Sequence, residues 1–243
     1  MGAFFVRRDR RVVKVQSEDE ARIAYDLVAE GYAALLDGEL ERLPLERAML
    51  TAFLEQVEAG GGGPIADLGC GPGRVAGFLA GIGADMRGID LSPGMIAVAR
   101  RDHPAIPFEV ASMAELPFGD GELAGALAWY SIIHVPQDLQ DAVFAEFARA
   151  LRPGGMLLLA FQVSEDGDED IVHLRQAYGH EIDLRTRRQS PARVERRLAE
   201  AGFAQLAQLV REPIASEKSR QAFLLARRCV PAQRMAGSGS AAS

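Results

Sequence analysis

The stretch IADLGCGPGRVAGFLA sets a carboxylate, Asp67, just ahead of three glycines at alternate positions, Gly69, Gly71 and Gly73. Each glycine carries an entropic penalty on folding, so three together mark a backbone that something must approach closely. Where a strand passes into a helix, the bared amides at the helix start can meet a ligand. A Walker loop is excluded, because it needs Gly-Lys-Ser/Thr where this chain has GPGRV. A dinucleotide fingerprint survives in one register, Gly71, Gly73 and Ala76. Asp67 weighs against it: a carboxylate there repels a pyrophosphate and attracts a ligand with an amino group, directly or through water. Asp90 ends the apolar run MRGID about 20 residues past the loop, where an acid can take two ribose hydroxyls. Its competing role is to cap the helix beginning at Pro93, which Ser92 can also do. A nucleoside with a positively charged tail answers both carboxylates, and S-adenosylmethionine is such a molecule.

Methyl transfer from a sulfonium leaves a protein mainly to align donor and acceptor and to exclude water. If the acceptor is a hydroxyl or phenol, a base must also take its proton. LAWYSIIHVP follows the fourth apolar run of the sheet pattern; Trp129 and Tyr130 at its tip wall the pocket, and His134, one turn on, is the candidate general base. The competing role for His134 is a backbone-bonded histidine near Pro136. His173, Tyr178 and His180 lie in DEDIVHLRQAYGHEIDLRTRR, where they either touch the acceptor or cap a helix. Tyr25 and Tyr32, seven apart on one helix face, read as a core stripe or, in similar enzymes, as part of a lid. Cys70 is a small loop residue rather than a nucleophile, since nothing beside it supplies a base. No carboxylate stands at the Trp129–Tyr130 tip, so no metal is expected.

The elements that must position these residues follow from periodicity. Helical spacing runs over 17–37, behind Ser17 as cap with Glu20 three residues on, and from Pro44 to about Glu58. Beyond Ile65 short apolar runs alternate with helical segments: strands at 65–68, 85–89, 107–110, 123–129 and 156–162, helices at 73–81, 93–101 and 138–151. That alternation predicts a parallel sheet with helices on both faces. After a charged stretch, 164–188, and a helix, 191–201, two strand-like runs at 203–211 and 221–228 predict an antiparallel hairpin at the sheet edge. The division is a basic N-terminus over 1–16, a helical cap over 17–60, the main domain over 61–229 with 164–188 as an insertion that in similar enzymes helps cover the substrate, and a tail over 230–243, both ends being flexible.

At 243 residues, 48% hydrophobic and 25% charged, the chain has the make-up of a globular α/β domain. A net charge of −7 argues against nucleic acid or an anionic membrane as partner. No apolar run approaches a membrane span, and two distant cysteines, Cys70 and Cys229, fit a reducing cytoplasm.

IADLGCGPGRVAGFLA, MRGIDLSPGMIAVAR, FEVASMAELPF and LRPGGMLLLAF, in this order and spacing, resemble the successive motifs of class I S-adenosylmethionine-dependent methyltransferases, over about residues 20–228. The resemblance implies a Rossmann-like, seven-stranded, mostly parallel sheet with an antiparallel C-terminal hairpin and an N-terminal helical lid. It puts Gly69, Gly71 and Gly73 beside the methionine moiety, Asp90 on the ribose and Leu91 and Met95 on the adenine, with Asp67 and Cys70 of the same turn counted among the cofactor-binding residues. Ser112 and Met113 stand where many relatives have an acidic and a small residue, which weakens adenine readout; Trp129 completes the cofactor wall. Neither the Asn/Asp-Pro-Pro-aromatic run of base-amino methyltransferases nor a Pro-Cys is present, which leaves a small organic acceptor. The nearest likeness is to bacterial small-molecule enzymes of the ubiquinone/menaquinone-biosynthesis type, as monomer or homodimer. Methylation at O, N or C stays open, as do a cyclase or a cofactor-binding protein on the same fold.

Overall fold

A computed structural model describes residues 18–164, 170–177, 179–214 and 217–230. Helix α1 (Glu18–Leu36) and helix α2 (Pro44–Ala59) precede the alternating part: β1 (Ile65–Leu68), α3 (Arg74–Gly81), β2 (Met86–Asp90), α4 (Pro93–Asp102), β3 (Phe108–Val110) and β4 (Leu123–Trp129). A 3-10 turn (Ile132–His134) leads to α5 (Gln140–Ala150) and β5 (Leu151–Gln162). The chain ends with β6 (Asp170–Ala177), β7 (His180–Arg188), α6 (Pro191–Glu200), β8 (Phe203–Arg211) and β9 (Gln221–Arg228).

Seven strands form one sheet in the order β3-β2-β1-β4-β5-β9-β8. The first five are parallel, β9 runs antiparallel to β5, and β8 antiparallel to β9. Strand order reverses between β1 and β4, and the crevice beyond the carboxyl ends of strands at such a point is where open α/β sheets bind ligands. Both sheet faces are covered. Leu157, Leu159 and Phe161 of β5 pack with Phe144 and Phe147 on one side. Leu158 and Ala160 pack with Phe53, Leu79 and Phe223 on the other.

Helix α2, which the sequence groups with α1 in a cap, belongs to that second layer: Leu50 and Phe53 are fully buried and Val57 nearly so. It lies so close to β4 that a Cβ on Gly125 would come within 2.8 Å of Val57 and 2.9 Å of Phe53. Truncating Phe53 to Ala would remove about 3–5 kcal/mol by the usual cost of an emptied aromatic site. Helix α1 is different. It lies over α4 and β7, with Ile23, Leu27 and Leu35 exposed on its outer face.

Two expectations change. Strand 156–162 extends back to Leu151, because LRPGG runs extended beside β4 through a register shift between Leu123 and Gly125, despite a proline and two glycines. The charged 164–188 segment contains a separate two-stranded antiparallel hairpin, β6–β7, and, among its described residues, no helix for its histidines to cap. Ser17, read as the cap of α1, lies outside the described residues.

Candidate active site

The floor of the site is the turn from β1 into α3. Gly69 and Cys70 donate their amides to the Ile89 carbonyl, both at 2.8 Å, which ties the turn to the end of β2. Gly69, Gly71 and Gly73 all have left-handed backbones, with φ of 77°, 54° and 84°. Their missing side chains serve different ends. A Cβ on Gly69 would fall 2.4 Å from Cβ of Ser131, and one on Gly73 would fall 2.8 Å from the Phe108 ring. Those two are glycine for packing. Gly71, which lines the cleft together with Gly69, is the one of the three with open space where a Cβ would stand, its nearest neighbour being the Tyr32 ring at 3.9 Å. Beside it Asp90 is held by backbone at both oxygens: Gly71 N–H donates to one at 2.8 Å, Ser92 N–H to the other at 2.9 Å. Burial nonetheless raises the Asp90 pKa, with those two bonds opposing. Each oxygen keeps a lone pair for a ligand hydroxyl.

Under this floor lies Asp67, 1% exposed, with no hydrogen-bond partner at either carboxylate oxygen. Buried carboxylates are normally satisfied, so an orphan beside a glycine loop indicates that a cationic group completes the site. Burial pushes its pKa up to about 7, with the Arg74 guanidinium opposing and Asp90 adding. Cys70 is turned into the core, its thiol 3.5 Å from the Gly71 carbonyl, and burial first, then Asp67 and Asp90, push its pKa up. A thiol so placed is inert, which agrees with its reading as a loop residue.

The back wall is the tip of β4. Trp129 is buried against Phe223, ring centroids 5.2 Å apart. Tyr130 has φ 56°, the one positive value for a non-glycine among the described residues, held by its N–H bond to the Ala160 carbonyl at 2.9 Å. Left-handed backbone at a non-glycine residue is strained, and such strain concentrates at functional sites. Ser131 follows, its hydroxyl donating to the Leu68 carbonyl at 2.6 Å and so joining the tips of β4 and β1. The turn then delivers His134. Burial lowers its pKa to about 4, with the Arg185 backbone opposing and the Arg187 guanidinium adding to the depression. It is therefore neutral at physiological pH. Its Nε2 lies 2.7 Å from the Tyr25 hydroxyl, the two rings edge to face at 5.1 Å.

Helix α1 forms the roof. Asp26 accepts from the Ser92 hydroxyl at 2.5 Å and from Gly94 N–H at 2.8 Å, and so sits at the start of α4. A Cβ on Gly94 would meet the α1 backbone at 3.2 Å, which is why that position is glycine. Tyr25, one residue before Asp26, reaches His134 on the other side. Ala21, Ala24 and Tyr25 also pack on Leu184, and Arg185 pairs with Glu20 at 3.3 Å, so β7 buttresses the roof.

One cleft is thus lined by Tyr25, Tyr32, Gly69, Gly71, Asp90, Leu91, Met95, Ser112, Met113, Trp129, Tyr130 and His134. Asp67, Cys70 and Gly73 lie beneath or beside it rather than in its wall. His173 bonds Asp183 within the hairpin, and His180 is exposed at the hairpin turn; neither lines the cleft, because β6–β7 presents β7 to α1 instead. Tyr178 lies outside the described residues. Ser112 uses its hydroxyl oxygen to accept from Ala114 N–H at 3.1 Å. Sequence reasoning missed Asp26, Arg22 and Ser131. Asp26 adjoins Tyr25 in the helical stripe, but nothing in the sequence pairs it with Ser92, 66 residues away. Among the described residues no three His, Cys, Asp or Glu side chains gather to hold a metal ion, and no helix is long and apolar enough to cross a membrane.

Residues 65–155, from β1 into β5, match the family model of a methyltransferase domain. The chain is 41% identical over 108 residues to an O-methyltransferase of Penicillium expansum, covering 42% of this chain and 38% of that protein. It is 31% identical over 136 residues to the demethylmenaquinone methyltransferase of Beutenbergia cavernae, covering 56% and 55%. It therefore spans about half the length of the curated relatives it matches. Among solved structures, the 1,6-didemethyltoxoflavin-N1-methyltransferase of Burkholderia thailandensis, crystallised with 1,6-didemethyltoxoflavin and S-adenosylhomocysteine, superposes with TM-score 0.63 at 20% identity, over 90% of this chain and 94% of that one. Residues 65–155 are thus similar to a methyltransferase domain, and the seven-stranded sheet has the fold of that solved structure.

Proposed function

We propose that the protein binds S-adenosylmethionine and transfers its methyl group to a small organic acceptor, with His134 as general base. The observation that carries this is the buried, orphaned Asp67 carboxylate two residues before Gly69 of the glycine turn, close enough to Asp90 for that carboxylate to raise its pKa. Asp67 meets the cofactor's amino group, directly or through water; Gly69 and Gly71 let the methionine part lie against the backbone. Asp90 takes the ribose hydroxyls, Leu91 and Met95 flank the adenine, and Ser112 and Met113 edge it. Held there, S-adenosylmethionine would supply an electrophilic methyl group, the S–C bonding pair returning to sulfur as the acceptor bonds the carbon. The chain's own work is to place the acceptor against Trp129 and Tyr130, shut out water with α1 and β7, and take a proton at His134.

A pKa of about 4 does not disqualify the histidine. An acceptor hydroxyl becomes a strong acid as its oxygen gains carbon, so an imidazole of depressed basicity still takes the proton in the transition state. The acidic chain and its two unpaired cysteines support work on a small molecule in a reducing, cytoplasmic setting, in keeping with a bacterial small-molecule enzyme. Calorimetry with S-adenosylhomocysteine on the wild type and Asp67→Asn, joined to an acceptor screen that follows S-adenosylhomocysteine release, tests the reading. Undiminished affinity in Asp67→Asn would remove the observation on which it rests.

A further inference from the structure

The roof contributes a phenol to the very atom assigned as base. Tyr25 crosses from α1 to set its hydroxyl 2.7 Å from Nε2 of His134, its ring edge to face with His134 and also with Tyr32, at 5.8 Å and 83°. All three rings line the cleft that holds Gly71 and Asp90. In the tautomer with its proton on Nδ1, His134 offers Nε2 one lone pair, and an O–H already occupies it. An aromatic ring bearing a hydroxyl is therefore the chemical group this part of the cleft demonstrably accommodates.

We propose that Tyr25 stands in for the acceptor, and that the acceptor is an aryl hydroxyl that displaces the Tyr25 side chain to bond Nε2 of His134. The inference rests on His134 being the base of the proposed transfer, and narrows its product to an aryl ether. Charge argues the same way. Arg187 stands near His134 and the cofactor brings a sulfonium; a protonated amine would bring a third cation into the ground state, whereas a phenol enters neutral and yields its proton to Nε2 only as the sulfonium charge is lost. A site shaped around a donated O–H also rejects a ring that lacks one, since the imidazole would be left unpaired in a buried place. Displacement is feasible because Tyr25 leaves by side-chain rotation, while Asp26 keeps α1 on Ser92 and Gly94.

The probe is p-cresol, the tyrosine side chain as a free molecule, titrated calorimetrically without cofactor into the wild type, Tyr25→Phe, Tyr25→Ala and Tyr25→Ala/His134→Ala, each checked for folding by circular dichroism. Emptied aromatic sites bind small aromatics of matching shape, so Tyr25→Ala should bind p-cresol at least about tenfold more tightly than the wild type. Tyr25→Phe, which frees Nε2 but keeps the ring, should fall between them. p-Xylene should bind Tyr25→Ala at least about tenfold more weakly than p-cresol, and the double variant should lose that preference. Equal p-cresol affinity in the wild type and both single variants, weaker binding to Tyr25→Phe than to the wild type, or equal binding of p-xylene and p-cresol overturns the proposal. If Tyr25→Ala does not fold, the comparison of wild type with Tyr25→Phe decides. S-adenosylhomocysteine titrated into the same proteins tests the cofactor reading separately: its failure to bind would sink that reading and leave the p-cresol result to judge this one.

Discussion

The floor of the cleft is tied by backbone bonds from the glycine turn and the end of β2, Gly71 and Ser92 both donating to Asp90 at 2.8 and 2.9 Å. Its roof is held by side chains from far apart, Tyr25 meeting His134 across 109 positions and Asp26 meeting Ser92 across 66. The floor is preorganised: the sheet register fixes it whether or not a ligand is present. The roof depends on a helix with three large apolar residues facing outward and a hairpin outside the main sheet. Regions resting on few buried contacts open more readily, and lids are drawn from them. One side of this cleft can thus recognise a shared cofactor with a fixed frame, while the other adapts to a particular acceptor.

Substitutions can separate the two sides. The largest effect is expected at His134: replacing it with Ala should lower turnover about 10²–10⁴-fold, the range for a lost general base, with little change in S-adenosylhomocysteine affinity. Turnover within a few-fold of the wild type would move the base elsewhere. Next come two glycines of the floor, which should respond oppositely. Gly69→Ala drives a Cβ to 2.4 Å from Ser131 and 2.5 Å from the Met113 methyl, so it should destabilise the fold by about 1–3 kcal/mol from overpacking and lower the melting temperature. Gly71→Ala meets nothing nearer than 3.9 Å and carries only left-handed strain, of about 1–2 kcal/mol, yet its methyl enters the cleft. It should melt closer to the wild type while losing more cofactor affinity. Asp90→Ala should weaken S-adenosylhomocysteine by about 1–3 kcal/mol through lost charge-assisted bonds, with unchanged affinity in calorimetry counting against a ribose contact.

The same contrast explains what was legible in the sequence. The main-sheet strands, their order of appearance and the floor residues follow from local patterns, because Asp67, the glycines and Asp90 lie within one βαβ unit whose geometry is nearly fixed. Even there the glycines looked equivalent; only three-dimensional packing distinguishes Gly69 and Gly73, which make room for Ser131 and Phe108, from Gly71, whose missing side chain leaves open space. The roof was readable only as composition. Tyr25 and His134 were each singled out for residue type, but their pairing depends on how α1 crosses the sheet end, which no short-range pattern encodes. His173 and His180 show the converse error: in a charged segment they looked available, whereas β-pairing engages His173 with Asp183 and leaves His180 at the turn.

The smallest effect expected is one of pH, and it sets floor against roof directly. Asp67 has a folded pKa of about 7 against an ordinary 3.8, so the folded protein holds a proton there that the unfolded chain releases. Its contribution to unliganded stability is whole below 3.8, declines as pH rises to about 7, and is flat above. His134 runs the other way: with a folded pKa of about 4 against 6.5, its contribution is whole above 6.5 and is lost as pH falls toward 4. Between pH 4 and 6.5 the two slopes oppose each other, so the wild-type melting temperature should vary less there than that of Asp67→Asn, which keeps only the histidine's slope and should lose stability from pH 6.5 downward. Burial sets both values first; Arg74, Asp90 and the Ala76 backbone then act on Asp67, and the Arg185 backbone and Arg187 on His134. A cationic ligand on Asp67 must also expel its proton. S-adenosylhomocysteine affinity should therefore rise with pH up to about 7 and then level, by about 1 kcal/mol between pH 6 and 8. Calorimetry in buffers of different ionisation enthalpy should record close to one proton released at pH 6 and almost none at pH 8.5. Binding that releases no proton at the lower pH would show that Asp67 is not the carboxylate that meets the ammonium.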